Sequence, residues 1–327
     1  MIYSILELAT LTEGGSVSET FKRSLDLAQK AEEWGYNRFW FAEHHNMKAV
    51  VSSATSVLIG YVAGGTERIR VGAGGIMLPN HAPLVVAEQF GTLGTLYPER
   101  IDLGLGRAPG TDQLTASALH RSKFAAYQFP QQVEELLGYF SSERKNDPVR
   151  AVPREGINLP VWILGSSTDS AHLAAKLGLP YAFASHFAPA QLEAAIAIYR
   201  NQFVPSEYLS KPYVLACINA IAADTQHEAE WLSSSLFLLF RNIVSGKSDY
   251  MKPPVDNIDH LLDDIEKISI EQMLSYTFIG DKEQLTQRIG NFAKRTKADE
   301  LMFTSYIFDH HKRLRSNQII AEIVRDL

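Results

Sequence analysis

Apolar runs of strand length alternate with segments of helical period along most of the 327-residue chain. IYSILELA (2–9) is apolar and rich in β-formers, and RFWFAE (38–43), IRVGAGGIML (69–78) and RIDLGLG (100–106) repeat the type. Between the first two, Ser16 and Glu19 form a capping-box pattern. Phe21, Leu25, Ala28 and Ala31 then recur at helical spacing, and Gly35 is placed to end the helix. Helices are predicted over roughly 52–64 and about 83–96. The second half repeats the scheme with LPVWILG (159–165), PYAFAS (180–185), PYVLACINAIA (212–222) and DELMFTS (299–305). Its helices start at Ser167 or Thr168 and close at Gly178, start again from about 189 and near Thr225, and end the chain with IIAEIV (319–324). Continuous apolar runs on this repeat predict parallel strands covered on the outside. Eight such units predict a closed (β/α)8 TIM barrel, one domain over 1–327. Two connections are too long for simple loops and are read as insertions after strands four and seven: 107–158 and about 245–280. The second contains KPPVDN and is a candidate lid.

Composition narrows the function. Apolar residues make up 46% and charged residues 21%, enough to bury a sizeable core, and the net charge of −6 gives no basic surface for nucleic acid. The single cysteine, Cys217, rules out an internal disulfide and a four-cysteine zinc site. The opening MIYSILELATL lacks the basic flank of a signal peptide, and no stretch reads as a membrane span, so a cytoplasmic location is expected.

In such a barrel the site lies at the C-terminal ends of the strands. Those ends carry Glu43, His44, His45 and Asn46; Pro79, Asn80 and His81; Gly106 and Arg107; Gly165, Ser166 and Ser167; Ser185 and His186; Ser305 and Tyr306. GSST opens a helix, where free N–H groups and hydroxyls suit an anion, and Arg107 arrives from the neighbouring strand with a fork suited to phosphate. The serines alone would also serve as caps. GAGGIM (72–77) and GLGRAP (104–109) fall short of a dinucleotide fingerprint, and their glycines suggest a flat ligand against the backbone. Adjacent His44 and His45 point to opposite faces of a strand, which disfavours a shared metal and favours one as a general acid or base. A metal-dependent barrel hydrolase using His44, His81 and His186 stands as an alternative. Ser52, Ser56, Gly60 and Gly64, and likewise Ala87, Gly91 and Thr95, form smooth ridges for packing on the sheet or against a second subunit.

FWFAEHHN, VGAGGIMLPNHAP, ERIDLGLGRAPGTD and LGSS, in this order, resemble the bacterial luciferase-like flavin monooxygenase family over nearly the whole chain. FAEHHN and LGLGRAPGTD are similar to a subgroup of single-chain luciferase-like oxidoreductases. The resemblance implies a barrel that binds reduced FMN and uses O2 on a small organic substrate, with an NAD(P)H-dependent flavin reductase supplying electrons. It implies His44 as the catalytic histidine and Arg107, Ser166, Ser167 and Ser170 as phosphate-binding positions. The peptide Ala73–Gly74 falls where the family often has a non-proline cis bond beside the flavin. Gly106 stands where the light-emitting enzyme has a reactive cysteine, so light emission does not carry over. A homodimer through the helices after strands two and three is expected. A non-catalytic flavin-binding relative and a deazaflavin-dependent dehydrogenase are the further alternatives.

Overall fold

The computed structural model describes residues 1–141, 147–154 and 157–327. The strands are β1 (Ile2–Glu7), β2 (Arg38–Phe41), β3 (Arg70–Met77), β4 (Ile101–Gly106), β5 (Val161–Gly165), β6 (Tyr181–Phe183), β7 (Val214–Ala222), β8 (Thr277–Gly280) and β9 (Glu300–Thr304). All pair in parallel, and β1 to β7 with β9 close into an eight-stranded ring through the β6–β7, β7–β9 and β9–β1 pairings. The expected TIM barrel is the observed fold. β8 is an addition that the sequence pattern does not show. It pairs with Asn219–Ala222, beyond the stretch of β7 that meets β6, and it lies inside the 245–280 excursion.

The helices are α1 (Val17–Trp34), α2 (Thr55–Gly64), α3 (Pro83–Leu96), α4 (Gln113–Ala118), α5 (Ala125–Phe140), α6 (Thr168–Leu177), α7 (Leu192–Gln202), α8 (Gln226–Val244), α9 (Asp264–Met273), α10 (Lys282–Thr296) and α11 (His310–Asp326). Helix α1 starts where the Ser16 hydroxyl accepts the Glu19 N–H, although Glu19 turns to Arg23 and does not complete the capping box. It ends at Gly35, with φ of 84°. Helix α2 begins at Thr55, later than the pattern suggests, with Ala54 at its N-cap and no side-chain capping bond. The 107–158 insertion folds into α4 and α5, and residues 142–146 and 155–156 of it lie outside the described residues.

Strand alternation sorts the core into two layers. Ile5, Phe39, Phe41, Ile163 and Phe303 pack outward against the helices, while Leu6, Trp40, Trp162, Cys217 and Met302 fill the barrel. The Trp40 and Trp162 rings meet edge to face at 5.1 Å. The starts of the strands are closed by buried charge. Asp102 accepts from Arg38 at 2.7 Å, Arg70 at 2.6 Å and Trp40 Nε1 at 3.1 Å, and Glu300 accepts from Arg38 and Tyr213. Burial alone would raise the Asp102 pKa, and the two guanidinium groups overcome it and hold the carboxylate ionised. With that end sealed, the opposite end is left for chemistry. Among the described residues, no helix is long and apolar enough to cross a membrane.

Candidate active site

Strand β2 ends at Phe41, and the chain runs on as Ala42-Glu43-His44-His45 with the alternation still in force. Glu43 and His45 share a side, and the His45 Nε2 lies 2.9 Å from Glu43 Oε1. His44 therefore projects away from them. Its pKa is lowered chiefly by burial, and the charge of His45 adds to that, while the Gly110 carbonyl and the Glu43 carboxylate pull it up. The Glu43 carboxylate also accepts from His81 Nε2 at 3.0 Å, the Met77 N–H at 3.0 Å and Asn80 Nδ2 at 3.2 Å. Burial would raise its pKa. The donors from His45, His81 and Met77 instead bring it down to about 2. His186, after β6, is also buried, and its pKa is pushed down to about 3 by burial and then by the charge of His44. The imidazoles of His44 and His186 are thus close enough to feel each other. Among the described residues, His186 Nδ1 has no hydrogen-bond partner.

The end of β4 and the start of α6 face each other. Arg107 Nη1 donates to Asp169 Oδ2, in the first turn of α6, at 2.9 Å. Ser167 is the N-cap residue by position, yet its hydroxyl makes no capping bond. The Thr168 N–H is instead taken by Gln191 Oε1 at 3.0 Å. Ser166 is exposed. Ser170, the third serine expected there, is braced within the turn. Its hydroxyl donates to the Ser167 carbonyl at 2.9 Å and lies 3.0 Å from the Tyr181 hydroxyl. A Cβ on Gly165 would sit 1.8 Å from Ser170 Oγ, so Gly165 makes room for this brace. Ser170 shapes the turn, whereas Ser166 and Ser167 present hydroxyls at the helix start.

Strand β3 carries one non-proline cis peptide, at Gly74–Gly75. The expected position, Ala73–Gly74, is one residue too early. The β3–β4 register shifts between Ala73 and Ile76, so the pairing slips in the same stretch. The glycines here answer first to packing. A Cβ on Gly74 would lie 2.8 Å from Leu6 Cδ1, one on Gly75 would lie 2.6 Å from the Gly104 carbonyl oxygen, and one on Gly106 would lie 2.7 Å from Met77 Sδ. Ala73 is fully buried and Gly74 is partly exposed.

Residues 1–296 match the family described as "Luciferase-like monooxygenase". The chain belongs to the luciferase-like monooxygenase family. It is 49% identical over 326 residues to "Luciferase-like monooxygenase" of Escherichia coli (strain K12), covering 99% of this chain and 97% of that one. Among solved structures, apo-MsnO8 is 31% identical, with a TM-score of 0.88, covering 99% of this chain and 98% of that one. Two more distant structures share the fold. One is the oxygenating constituent of 3,6-diketocamphane monooxygenase from Pseudomonas putida in complex with FMN, 16% identical with a TM-score of 0.73, covering 99% of this chain and 98% of that one. The other is an F420-dependent secondary alcohol dehydrogenase, 15% identical with a TM-score of 0.72, covering 99% of both chains.

A hydrolase of the kind considered above needs His44, His81 and His186 on one ion. His81 is instead bonded to Glu43, and among the described residues no three His, Cys, Asp or Glu side chains converge as metal ligands. The small-residue ridge of α2 also has a different use. A Cβ on Gly60 would lie 3.3 Å from Leu93 and one on Gly64 would lie 3.0 Å from the Tyr97 hydroxyl, so these glycines seat α3 within the chain. The outer side of the same helices carries exposed apolar residues, among them Val57 (68%) and Leu96 (62%). Sequence reasoning missed Arg121, Asp169 and Gln191. Only Asp169 leaves a signal, an acid in the first turn of a helix.

Proposed function

We propose that the protein is a two-component, FMN-dependent monooxygenase that uses reduced FMN and O2 on a small organic substrate, with electrons from an NAD(P)H-dependent flavin reductase. The observation that carries this reading is the convergence of the Arg107 fork with the start of α6, where the Ser167 hydroxyl is not spent on capping. A guanidinium, hydroxyls and helix N–H groups are the donor set a phosphate takes. In this reading Arg107, Ser166 and Ser167 hold the phosphate, and the flat ring lies along the partly exposed Gly74 backbone near His44. Bound reduced FMN would supply the electrons and the activation of oxygen. The protein's own part is to bind, orient and shield. His44, kept neutral by burial, accepts a proton at its imidazole nitrogen. In this reading the 245–280 excursion excludes water from the site.

The sequence of α2, TSVLIGYVAG, has no polar face. A helix that is apolar all round buries its second side against something. Val57 and Tyr61 on α2 and Val85 and Leu96 on α3 fit a second copy of the chain, so the proposed enzyme is a cytoplasmic, single-domain protomer in a homodimer. Anaerobic titration with FMN, reduced FMN, FAD and a deazaflavin, followed by oxygen exposure, tests the reading. Affinity for reduced FMN with oxygen uptake supports it. Preference for the deazaflavin without oxygen uptake would replace it with a dehydrogenase.

A further inference from the structure

Glu43 is 1% exposed, and donors from two separate strand ends converge on its carboxylate. His45 comes from its own segment; Met77, Asn80 and His81 come from the end of β3 and the turn after it. Asn80 carries the constraint onward. Its Nδ2 also donates to the Pro109 carbonyl at 2.9 Å, and its Oδ1 accepts from Arg121 Nη1 at 2.6 Å. The other arm of Arg121, Nη2, donates to the Arg107 carbonyl at 2.6 Å. The circuit closes back on β2: the His45 N–H donates to the Gly110 carbonyl at 3.0 Å, and the Thr111 hydroxyl donates to the His45 carbonyl at 2.8 Å. Gly110 has φ of 64°, and a Cβ there would lie 2.7 Å from the Glu43 carbonyl oxygen, so the loop after β4 is pressed directly on this segment.

His44 sits between two anchored neighbours, and Arg107 is held by its own carbonyl at the far end of the same chain of bonds. We propose that Glu43 is a positioning residue whose carboxylate joins the ends of β2, β3 and β4 into one strut, fixing His44 relative to Arg107; this role rests on the reading of His44 and Arg107 given above. An ionised carboxylate is suited to it because it only accepts, with two oxygens for four donor groups. A carboxamide offers one accepting oxygen and turns an NH2 against the remaining donors, which leaves buried N–H groups unpaired.

The test uses Glu43→Gln and Glu43→Asp in the full chain. The first readout is the NMR titration of the His44 imidazole without any ligand, with the resonance assigned by a His44→Gln control. The charges that act on His44 are Glu43, which raises its pKa, His45, which lowers it, and His186; Glu43 itself meets His45, His81 and Arg121. Glu43→Gln is expected to move the His44 midpoint further down, and Glu43→Asp to restore part of the shift. The second readout is turnover per folded molecule, expected to fall about 10²-fold in Glu43→Gln, the usual scale for a displacement of about 1 Å at a reacting group. A lower unfolding temperature with unchanged His44 titration and unchanged turnover would reduce Glu43 to a structural residue and overturn the proposal. If Glu43→Gln does not fold, Asn80→Ala takes its place. It cuts the link to Pro109 and Arg121 while leaving His45, His81 and Met77 on the carboxylate. It is expected to raise the KM for reduced FMN several-fold with a smaller change in kcat, and an unchanged KM overturns the strut. Should the wild-type protein neither bind reduced FMN nor consume oxygen, the functional reading falls with the turnover and KM readouts, while an unchanged His44 titration in Glu43→Gln still overturns the link between Glu43 and His44.

Discussion

Arg107 and Asp169 lie 2.9 Å apart across the gap between the end of β4 and the first turn of α6. A phosphate arriving at this helix start has to take Arg107 from Asp169 or share it. Both side chains are well exposed, and an exposed ion pair contributes about 0.2–1 kcal/mol. Charge-assisted bonds to a phosphate contribute about 1.5–3 kcal/mol each, so the ligand wins the exchange. Arg107→Ala is therefore expected to weaken reduced FMN by about 10–100-fold and to leave reduced riboflavin almost unchanged. Asp169→Asn should tighten reduced FMN a few-fold, because the competitor is gone. Anaerobic equilibrium titration of both ligands checks this, and equal losses for both in Arg107→Ala would remove Arg107 from a phosphate site.

His44 has a pKa below the ordinary histidine value because burial disfavours its charged form. At neutral pH it is an acceptor of protons. Turnover is then expected to be level near pH 7 and to fall as the pH drops through the lowered pKa of His44, below about 6.5. His44→Ala should bind reduced FMN almost normally, turn over about 10²–10⁴-fold more slowly and lose this acidic limb. A rate that instead falls as pH rises through the same range would make His44 a proton donor.

The barrel was legible because parallel strands buried on both faces read as unbroken apolar runs, and VLACINAIA in β7 is buried at every position. TFIG in β8 was not legible: four residues carry no periodicity, and the strand owes its existence to the free end of β7. The strand-end list placed His44 and Arg107 at the same end of the barrel, since the fold class dictates where strand-end residues gather. It could not find Arg121, which lies beyond the end of β4 in a segment with no strand-end signal and reaches the site only because α4 folds back toward Asn80. The α2 glycines were visible as a ridge, but the neighbours that fill it, Leu93 of α3 and Tyr97 just after it, are set by tertiary packing that spacing alone does not encode.

Val57 and Tyr61 stand one helical turn apart on the outer side of α2, 68% and 44% exposed. If a second copy covers them, a carboxylate placed there loses its water in the dimer and none in the monomer. Val57→Glu and Tyr61→Glu are expected to yield a folded monomer at micromolar concentration, with wild-type far-ultraviolet circular dichroism. Light scattering on wild type and variants is the check. A wild-type monomer removes the dimer outright. A dimer unaffected by either substitution moves the interface elsewhere.

His186 gives the fold a pH dependence of definite sign. Burial pushes its pKa down to about 3, so the folded protein keeps it neutral over a range where the unfolded chain, titrating near 6.5, takes up a proton. The unfolded state binds the extra proton, so stability rises with pH between those two values. The contribution is fully present above pH 6.5 and is lost progressively as pH falls toward the folded-state value. One such group gives a slope of up to about 1.4 kcal/mol per pH unit, or about 1.6 kcal/mol between pH 6.5 and 5. Glu43 acts in a lower window, since its carboxyl is held at about 2 and its contribution is lost only below the unfolded glutamate value near 4.3. Urea unfolding at stepped pH separates the two. His186→Gln is expected to show a shallower decline than wild type from pH 6.5 down to about 3, and to keep the added decline below pH 4.3 that Glu43 contributes. A slope in the upper window that survives the substitution would mean that another group takes up the proton and that His186 is charged in the fold.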